Sequence, residues 1–444
     1  MMNVLHSPRH VVFTLLTCLL LTTCVSAQQA GLVVSVKADR DDALYDRNQQ
    51  AVFTISVTDA GQPVTQGEVR VTLSRDQTKV VERKTLKLDR DGVTISGTLA
   101  DPGFLHCRAV FVKDRKSHTG LAAAGFDVTH IQPVCKEPDD FDAFWKDGRE
   151  ELAKIPLDVK LTPSPEHSDD KQETFRITFA NIAGTRIYGF LCVPKGAKGP
   201  YPACIQVPSA GLVKPTKPTS LKWAHRGVLY LDLCIHDFDP LNPPQDIQKR
   251  PSYPFIGGPD RNAFYFRRAI LGCDRAIDYL ASRPDFDGKH LVLFGGSQGG
   301  AMSLILGGLN KNVTAISSSK PAMCDHQAPL SERRHSWPGL LARSTRRTDD
   351  WVKMSEYFDA VNFARRIKAP ILVSAGFIDT TCPPTNVYAA FNVIKAPKGI
   401  FGLTDQPHSW FITPVARRWW DFQNRWTQGQ LGLGPQVPLP ARMH

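Results

Sequence analysis

The stretch HLVLFGGSQGGAMSLILGG, His290 to Gly308, decides the fold. Leu291-Val292-Leu293-Phe294 is a short apolar run that reads as a buried strand, and Ala301-Met302-Ser303-Leu304-Ile305-Leu306 resumes an apolar rhythm that reads as a helix. Between them Ser297 is fenced by Gly295, Gly296, Gly299 and Gly300. A strand, a GxSxG turn and a helix in that order form a nucleophile elbow, in which the serine sits on a turn so tight that its neighbours must be small. The hydroxyl is then lifted to the top of a sheet at a helix N-terminus, where the amide of Gln298 can donate to an oxyanion. A plain Gly-rich turn with Ser297 as helix cap is the bland alternative, and the flanking strand and helix weigh against it.

A serine hydroxyl is a poor nucleophile without a base, and the base needs an orienting acid. In this fold they follow the serine in the order acid, then histidine, each at the end of a later strand. Ile371 to Ala375 reads as a buried strand, and the chain continues through Gly376-Phe377-Ile378 to Asp379, the candidate acid. Gly399–Leu403 reads as the last strand, followed by Thr404-Asp405-Gln406-Pro407-His408-Ser409-Trp410. His408 is the candidate base; Asp405 is a rival acid, three residues away in the same loop. The second oxyanion donor is expected in the loop after Cys204-Ile205-Gln206-Val207, where the amide of Ala210 is the candidate and Ser209 the next.

The rest of the chain fits an α/β protein. Ala203–Val207, Val228–Leu233, Leu291–Phe294, Val313–Ile316 and Ile371–Ala375 are short apolar strands, separated mostly by helical stretches at Asn262–Ser282, Gln298–Leu309 and Thr385–Ile394. That alternation predicts a mostly parallel sheet with helices on both faces. Thr174–Ala180 and Ile187–Val193 read as a hairpin turning near Ala183-Gly184, and Asp139-Asp140 opens a helix. From Gly31 to Val128 the period is two, with turns at Asp59-Ala60-Gly61, Asp89-Arg90-Asp91-Gly92 and Asp101-Pro102-Gly103, which predicts a small immunoglobulin-like sandwich. The expected division is a signal segment at 1–27, a sandwich at 28–130, a linker at 131–138, a hydrolase domain at 139–430 and a tail at 431–444. At 444 residues the chain is too long for one small core.

Residues 1–27 combine a short basic start, an apolar core from Val11 to Val25 and small residues at Val25-Ser26-Ala27, as in a cleaved export signal. The apolar core is too short to span a bilayer, and a lipid anchor through Cys24 is the weaker alternative. Secretion or a periplasmic location is the expectation. The net charge is +11, yet no block of Lys and Arg and no nucleic-acid motif stands out. Eight cysteines remain beyond the signal, widely spaced and several in apolar strands, where buried free thiols are expected. Without a CxxC pair or an HExxH helix no metal site is expected, and nothing calls for a cofactor.

With these residues in hand, the chain resembles the acetyl xylan esterase / cephalosporin C deacetylase family from about Asp139 to Thr427. The matching stretches are Asn262-Ala263-Phe264-Tyr265-Phe266-Arg267, Gly295-Gly296-Ser297-Gln298-Gly299-Gly300, Tyr357-Phe358-Asp359 and the run from Ser374 through Asp379 to Thr385. The resemblance implies an α/β-hydrolase fold, with Ser297 as nucleophile, Asp379 as acid and His408 as base. It also implies deacetylation of small acetylated carbohydrates, and a homo-oligomer, often a hexamer with inward-facing sites. The sandwich is an addition that would stand in the way of such a hexamer. Three departures stand out: Cys234-Ile235-His236 where the family carries Arg-Gly-Gln, His408-Ser409 where it carries His-Glu, and Ser209-Ala210 where it carries Gly-Tyr. Trp410, and Trp337 in the insertion Pro321–Arg343, are candidates for stacking on sugars or for cap packing; His326 and His335 in that insertion read as structural. The rival readings are a prolyl oligopeptidase-type peptidase and a catalytically inert carbohydrate- or envelope-binding protein.

Overall fold

The alternating N-terminal segments close into two facing sheets. They are seen in a computed structural model that describes residues 31–196, 199–212, 215–246 and 252–440. The expected signal at 1–27, with Cys24, lies outside the described residues. One sheet contains β1 (Leu32–Ala38), β3 (Ala51–Asp59), β4 (Gln62–Pro63) and β7 (Val93–Gly97). The other runs in the order β2 (Leu44–Tyr45), β9 (Lys116–Phe126), β8 (Gly103–Lys113), β5 (Glu68–Arg75) and β6 (Lys79–Lys87). Inward residues of both sheets, among them Phe53, Ile55, Val69, Leu73, Leu105 and Phe126, form one core. Strand β6 has no counterpart in the sequence reading. Its residues are exposed or half-buried along its whole length, because it is an edge strand with little core to face.

The segment 131–138, expected to be a linker, is bound along its length. Val134 and Cys135 both donate their amides to Asp325 Oδ1 at 2.8 Å. Asn392 Nδ2 donates to the carbonyls of Val128 and Ile131, each at 2.9 Å.

Beyond it lies a nine-stranded sheet in the order β10 (Lys160–Pro163), β11 (Gln172–Ala180), β12 (Arg186–Pro194), β14 (Leu229–Cys234), β13 (Tyr201–Gln206), β15 (Phe286–Gly296), β16 (Ala315–Ser319), β17 (Ile371–Gly376) and β18 (Lys398–Leu403). The first three pairings are antiparallel and the rest parallel. The helices are α1 (Phe141–Ala153), α2 (Tyr265–Ser282), α3 (Gln298–Leu309), α4 (Asp349–Tyr357), α5 (Ala360–Ala364), α6 (Pro384–Val393) and α7 (Pro414–Gln430). Alternate strand residues serve opposite faces. Leu291, Leu293, Ile371 and Val373 join the core shared with α1, α2, α3, α5 and α6, while Val292, Leu372 and Phe401 pack under Trp419 and Trp426 of α7. Burial on both faces explains why these strands read as continuous apolar runs. The tail also packs, through Leu433, Val437 and Leu439, against the α7 side.

The strands converge on the elbow between β15 and α3. A Cβ on Gly299 would lie 2.1 Å from the Val207 carbonyl oxygen, and one on Gly295 would lie 2.5 Å from the backbone of Gly299. Both obstacles are main chain, so neither can swing aside. Gly296 is different, since a Cβ there meets nothing nearer than 3.8 Å. Gly299→Ala is therefore expected to lose about 3 kcal/mol of stability or more, at the upper end of overpacking costs. Gly296→Ala should unfold close to the wild-type midpoint; thermal denaturation of the two variants side by side checks the difference.

Candidate active site

Ser297 sits between β15 and α3 with φ 57° and ψ −120°, a backbone conformation that costs energy for any side-chain-bearing residue. Hydrogen bonds on both sides hold it there. Its amide donates to Ser319 O at 2.9 Å, and its carbonyl accepts from Ala301 N and Ala322 N, each at 3.0 Å. Ser297 Oγ lies 3.0 Å from His408 Nε2, and His408 Nδ1 lies 2.8 Å from Asp379 Oδ2. Asp379 Oδ1 accepts from the amides of Thr381 and Cys382, both at 2.8 Å. A carboxylate against Nδ1 keeps the proton on that nitrogen, which leaves the Nε2 lone pair facing the serine hydroxyl. The structure thus brings together the three residues expected from sequence. Asp405, the rival acid, accepts from Gln406 Nε2 at 3.0 Å and makes no bond to His408.

Gln298 opens α3, so its amide is among the helix's first N–H groups, which have no intrahelical acceptor. Its side chain ties the neighbouring loop in place: Nε2 donates to Pro208 O at 3.2 Å, and Oε1 accepts from Tyr253 OH at 2.5 Å. Ala210 lies in that loop. Ser209 Oγ donates to Gly296 O at 3.1 Å, and His236 Nε2 donates to Gly211 O at 2.7 Å. Burial pushes His236 down to about 4, so the ring is neutral at pH 7. With Nε2 carrying the proton, Nδ1 accepts from Tyr265 OH at 2.6 Å.

Sequence reasoning gave no role to His236 and missed Lys320. Lys320 follows β16, and its Nζ donates to Pro407 O at 3.0 Å and to His408 O at 2.8 Å. The same ammonium lies 3.6 Å from the centroid of the Trp410 ring. Burial lowers its pKa to about 8. The available signal was a single lysine ending an otherwise uncharged run, Ala315-Ile316-Ser317-Ser318-Ser319, in the strand that follows α3.

Trp410 has Lys320 over its ring and Trp420 at 5.3 Å between centroids, so much of its surface is already covered. Trp337 is half-buried beside Tyr253 and Phe266, at 6.2 and 6.3 Å between centroids, and its amide donates to Thr381 O at 2.9 Å. The insertion that carries it is therefore bonded to the acid loop. His326 is buried and pushed down to about 3 by desolvation, while burial also lowers the value of the half-buried His335. Neither has a hydrogen bond to Ser297, Asp379 or His408.

All eight cysteines of the described residues are free and buried. The ligand atoms of Asp379, Cys382 and His408 lie within 4.8 Å of one another. Asp379 and His408 are already bonded to each other, and burial raises the Cys382 thiol well above its ordinary value, so it stays protonated. That trio is better suited to packing and hydrogen bonding than to holding a metal. No helix among the described residues is long and apolar enough to cross a membrane.

Residues 127–423 match the acetyl xylan esterase (AXE1) family. Over 406 residues the sequence is 33% identical to the acetyl esterase Axe7A of Xylanibacter ruminicola, covering 89% of each chain. Among solved structures, acetyl xylan esterase 1 of a Thermoanaerobacterium species superposes with a TM-score of 0.58 at 21% identity, over 67% of this chain and 96% of that one. An acetyl xylan esterase of a Paenibacillus species does so with a TM-score of 0.59 at 24% identity, over 67% and 98%. These two share the fold, and the family match and the curated relative carry the assignment further: the chain belongs to the acetyl xylan esterase family of α/β-hydrolase-fold carboxylic ester hydrolases.

Proposed function

We propose that this chain removes acetyl groups from small acetylated carbohydrates through an acyl-enzyme on Ser297. Ser297 Oγ attacks the ester carbonyl while His408 Nε2 takes its proton. Asp379 holds the imidazole tautomer and balances the imidazolium that forms. The amides of Gln298 and Ala210 receive the developing oxyanion. Collapse expels the sugar oxygen, which takes the proton from His408. Water, deprotonated by the same nitrogen, then attacks the acyl-serine; collapse frees acetate and expels Ser297 Oγ, which takes the proton back from His408.

The observation that carries this reading is the unbroken Asp379–His408–Ser297 chain, at 2.8 and 3.0 Å, in a member of an esterase family. A formed serine–histidine contact argues against an inert binding protein. An N-terminal sandwich of nine short strands is no propeller, which removes the main support for the peptidase reading. The proposed mature protein is exported after loss of residues 1–27, with the sandwich at 28–130 and the hydrolase domain at 139–430.

Ser297→Ala is expected to lower kcat on p-nitrophenyl acetate and on acetylated xylo-oligosaccharides by about 10⁴-fold or more. Turnover near the wild-type level in that variant would sink the acyl-enzyme, and a wild type that cleaves aryl acetates but not the sugars would sink the carbohydrate substrate.

Lys320 gives a separate expectation. Its value in the fold, about 8, lies below the ordinary 10.5, so it is charged below pH 8 and neutral above. Charge-assisted hydrogen bonds are roughly twice as strong as neutral ones, so the hold on the His408 loop weakens as pH rises through 8. The wild-type kcat should show an alkaline limb there. Lys320→Met should be about 10-fold or more slower, in line with the cost of misplacing a catalytic group, and should lack that limb; kcat measured from pH 6 to 10 for both proteins decides it.

A further inference from the structure

The hairpin joining β5 to β6 turns through Asp76 at φ 50° and Gln77 at φ 62°. Two successive left-handed residues make the tightest hairpin turn, and glycine or asparagine serves it at least steric cost. This turn keeps two larger side chains, and both reach the hydrolase domain. Thr385 Oγ1 donates to Asp76 Oδ1, which also accepts from Phe104 N at 3.1 Å. Gln77 Nε2 donates to the carbonyl oxygen of Asp379 at 2.8 Å and lies 3.0 Å from His106 Nε2. That ring nitrogen is 3.1 Å from the carbonyl oxygen of Phe377. The Phe377 ring stands edge-on to Phe104 of β8 at 5.0 Å between centroids. Asp76 and His106 are buried. Sandwich side chains therefore meet two carbonyls of the loop that carries the acid, one of them on Asp379 itself.

We infer that the N-terminal sandwich is part of the esterase's working geometry: Gln77 fixes the backbone of the acid loop and hence the direction in which Asp379 presents Oδ2 to His408. This rests on the triad proposed above. Gln77 touches no reacting atom and is a positioning residue. Its amide nitrogen anchors the peptide oxygen of Asp379 itself, in the turn where that residue keeps Oδ1 on the amides of Thr381 and Cys382 and Oδ2 on the histidine. A sandwich that served only for docking would need the apolar contact of Phe104 with Phe377 and no donor aimed at Asp379.

The test uses the full mature chain in four forms: wild type, Gln77→Ala, Gln77→Glu and Lys79→Ala. The last removes only the exposed ion pair of Lys79 with Glu332, on the same hairpin. Each is read by kcat and KM on p-nitrophenyl acetate, by the rate at which a fluorophosphonate labels Ser297, and by thermal midpoint. Both Gln77 variants should lose about 10- to 100-fold in kcat and in labelling rate, the size of effect expected from misplacing a catalytic group, with KM within about twofold. Lys79→Ala should match the wild type. Gln77→Glu keeps the side chain's size and loses the donor, so it carries the test if Gln77→Ala folds poorly. Gln77 variants that label and turn over like the wild type overturn the inference. So does a loss of activity that only tracks a loss of folded protein, or one that appears in KM alone. A wild type that neither labels nor hydrolyses the ester overturns the esterase reading first and this inference with it.

Discussion

Asp379 is a carboxyl group wholly cut off from water, and a buried carboxylate is tolerated only where donors meet its oxygens. The donors here are the amides of Thr381 and Cys382 and the imidazole of His408. The first two require the chain to fold back tightly just after β17. That turn aims its own carbonyls outward, and they in turn need partners. Gln77 of the sandwich meets Asp379 O, Arg334 Nε donates to Thr380 O at 2.8 Å, and the Trp337 amide meets Thr381 O. The turn of Asp379 thus draws the sandwich, the insertion after β16 and the His408 loop to a single point.

The strained serine belongs to the same logic. Ser297 stays in its unfavourable conformation because β16, α3 and the segment after Lys320 all bond its backbone. The loops that surround it are each fastened by a side chain from a different element. Lys320 holds the carbonyls of Pro407 and His408, His236 holds Gly211, and Gln298 holds Pro208. Catalysis by charge stabilisation gains from donors that need not move during the reaction. A site made of loops fastened in this way meets that condition without a rigid helix or strand beneath every residue.

The strand–elbow–helix unit was legible because its signal is local: an apolar run, small residues and a second apolar run. Ser297 and the span of α3 follow directly from it. The core strands were legible for a related reason, since burial on both faces leaves an unbroken apolar stretch. That Asp379 and His408 would lie beside Ser297 could be expected because this fold puts such residues at the ends of late strands in a set order, and the three side chains do meet. Edge strands fared worse. β6 sets Val80, Val81 and Leu86 among charged residues without a period of two, and β10 is exposed throughout, so neither carries the alternation that marks a strand. Helix α2 begins at Tyr265, three residues later than its periodicity suggests, because Phe264 is held extended. The turn of Asp76 and Gln77 was passed over because its meaning lies in partners some 300 residues away in the chain. A single polar residue whose partner is that distant leaves no pattern in its own neighbourhood.

The departures from the family's usual motifs can be described by the bonds this chain makes at those positions. Where the family carries glutamine, this chain carries His236. A carboxamide offers a donor at one end and an acceptor at the other, and so does a neutral imidazole. Burial keeps His236 neutral, Tyr265 sets its tautomer, and the ring delivers its N–H to Gly211, next to Ala210. Stacking on Phe238, at 5.3 Å between centroids, fixes the ring plane. Ser409, beside His408, is exposed. The change to Ser209-Ala210 alters side chains while the expected donor remains a main-chain amide, and the Ser209 hydroxyl adds a bond to Gly296 O. In this chain His236 and Ser209 each bond a carbonyl beside Ser297 or in the loop facing it, so the residues at these positions take part in fastening that loop.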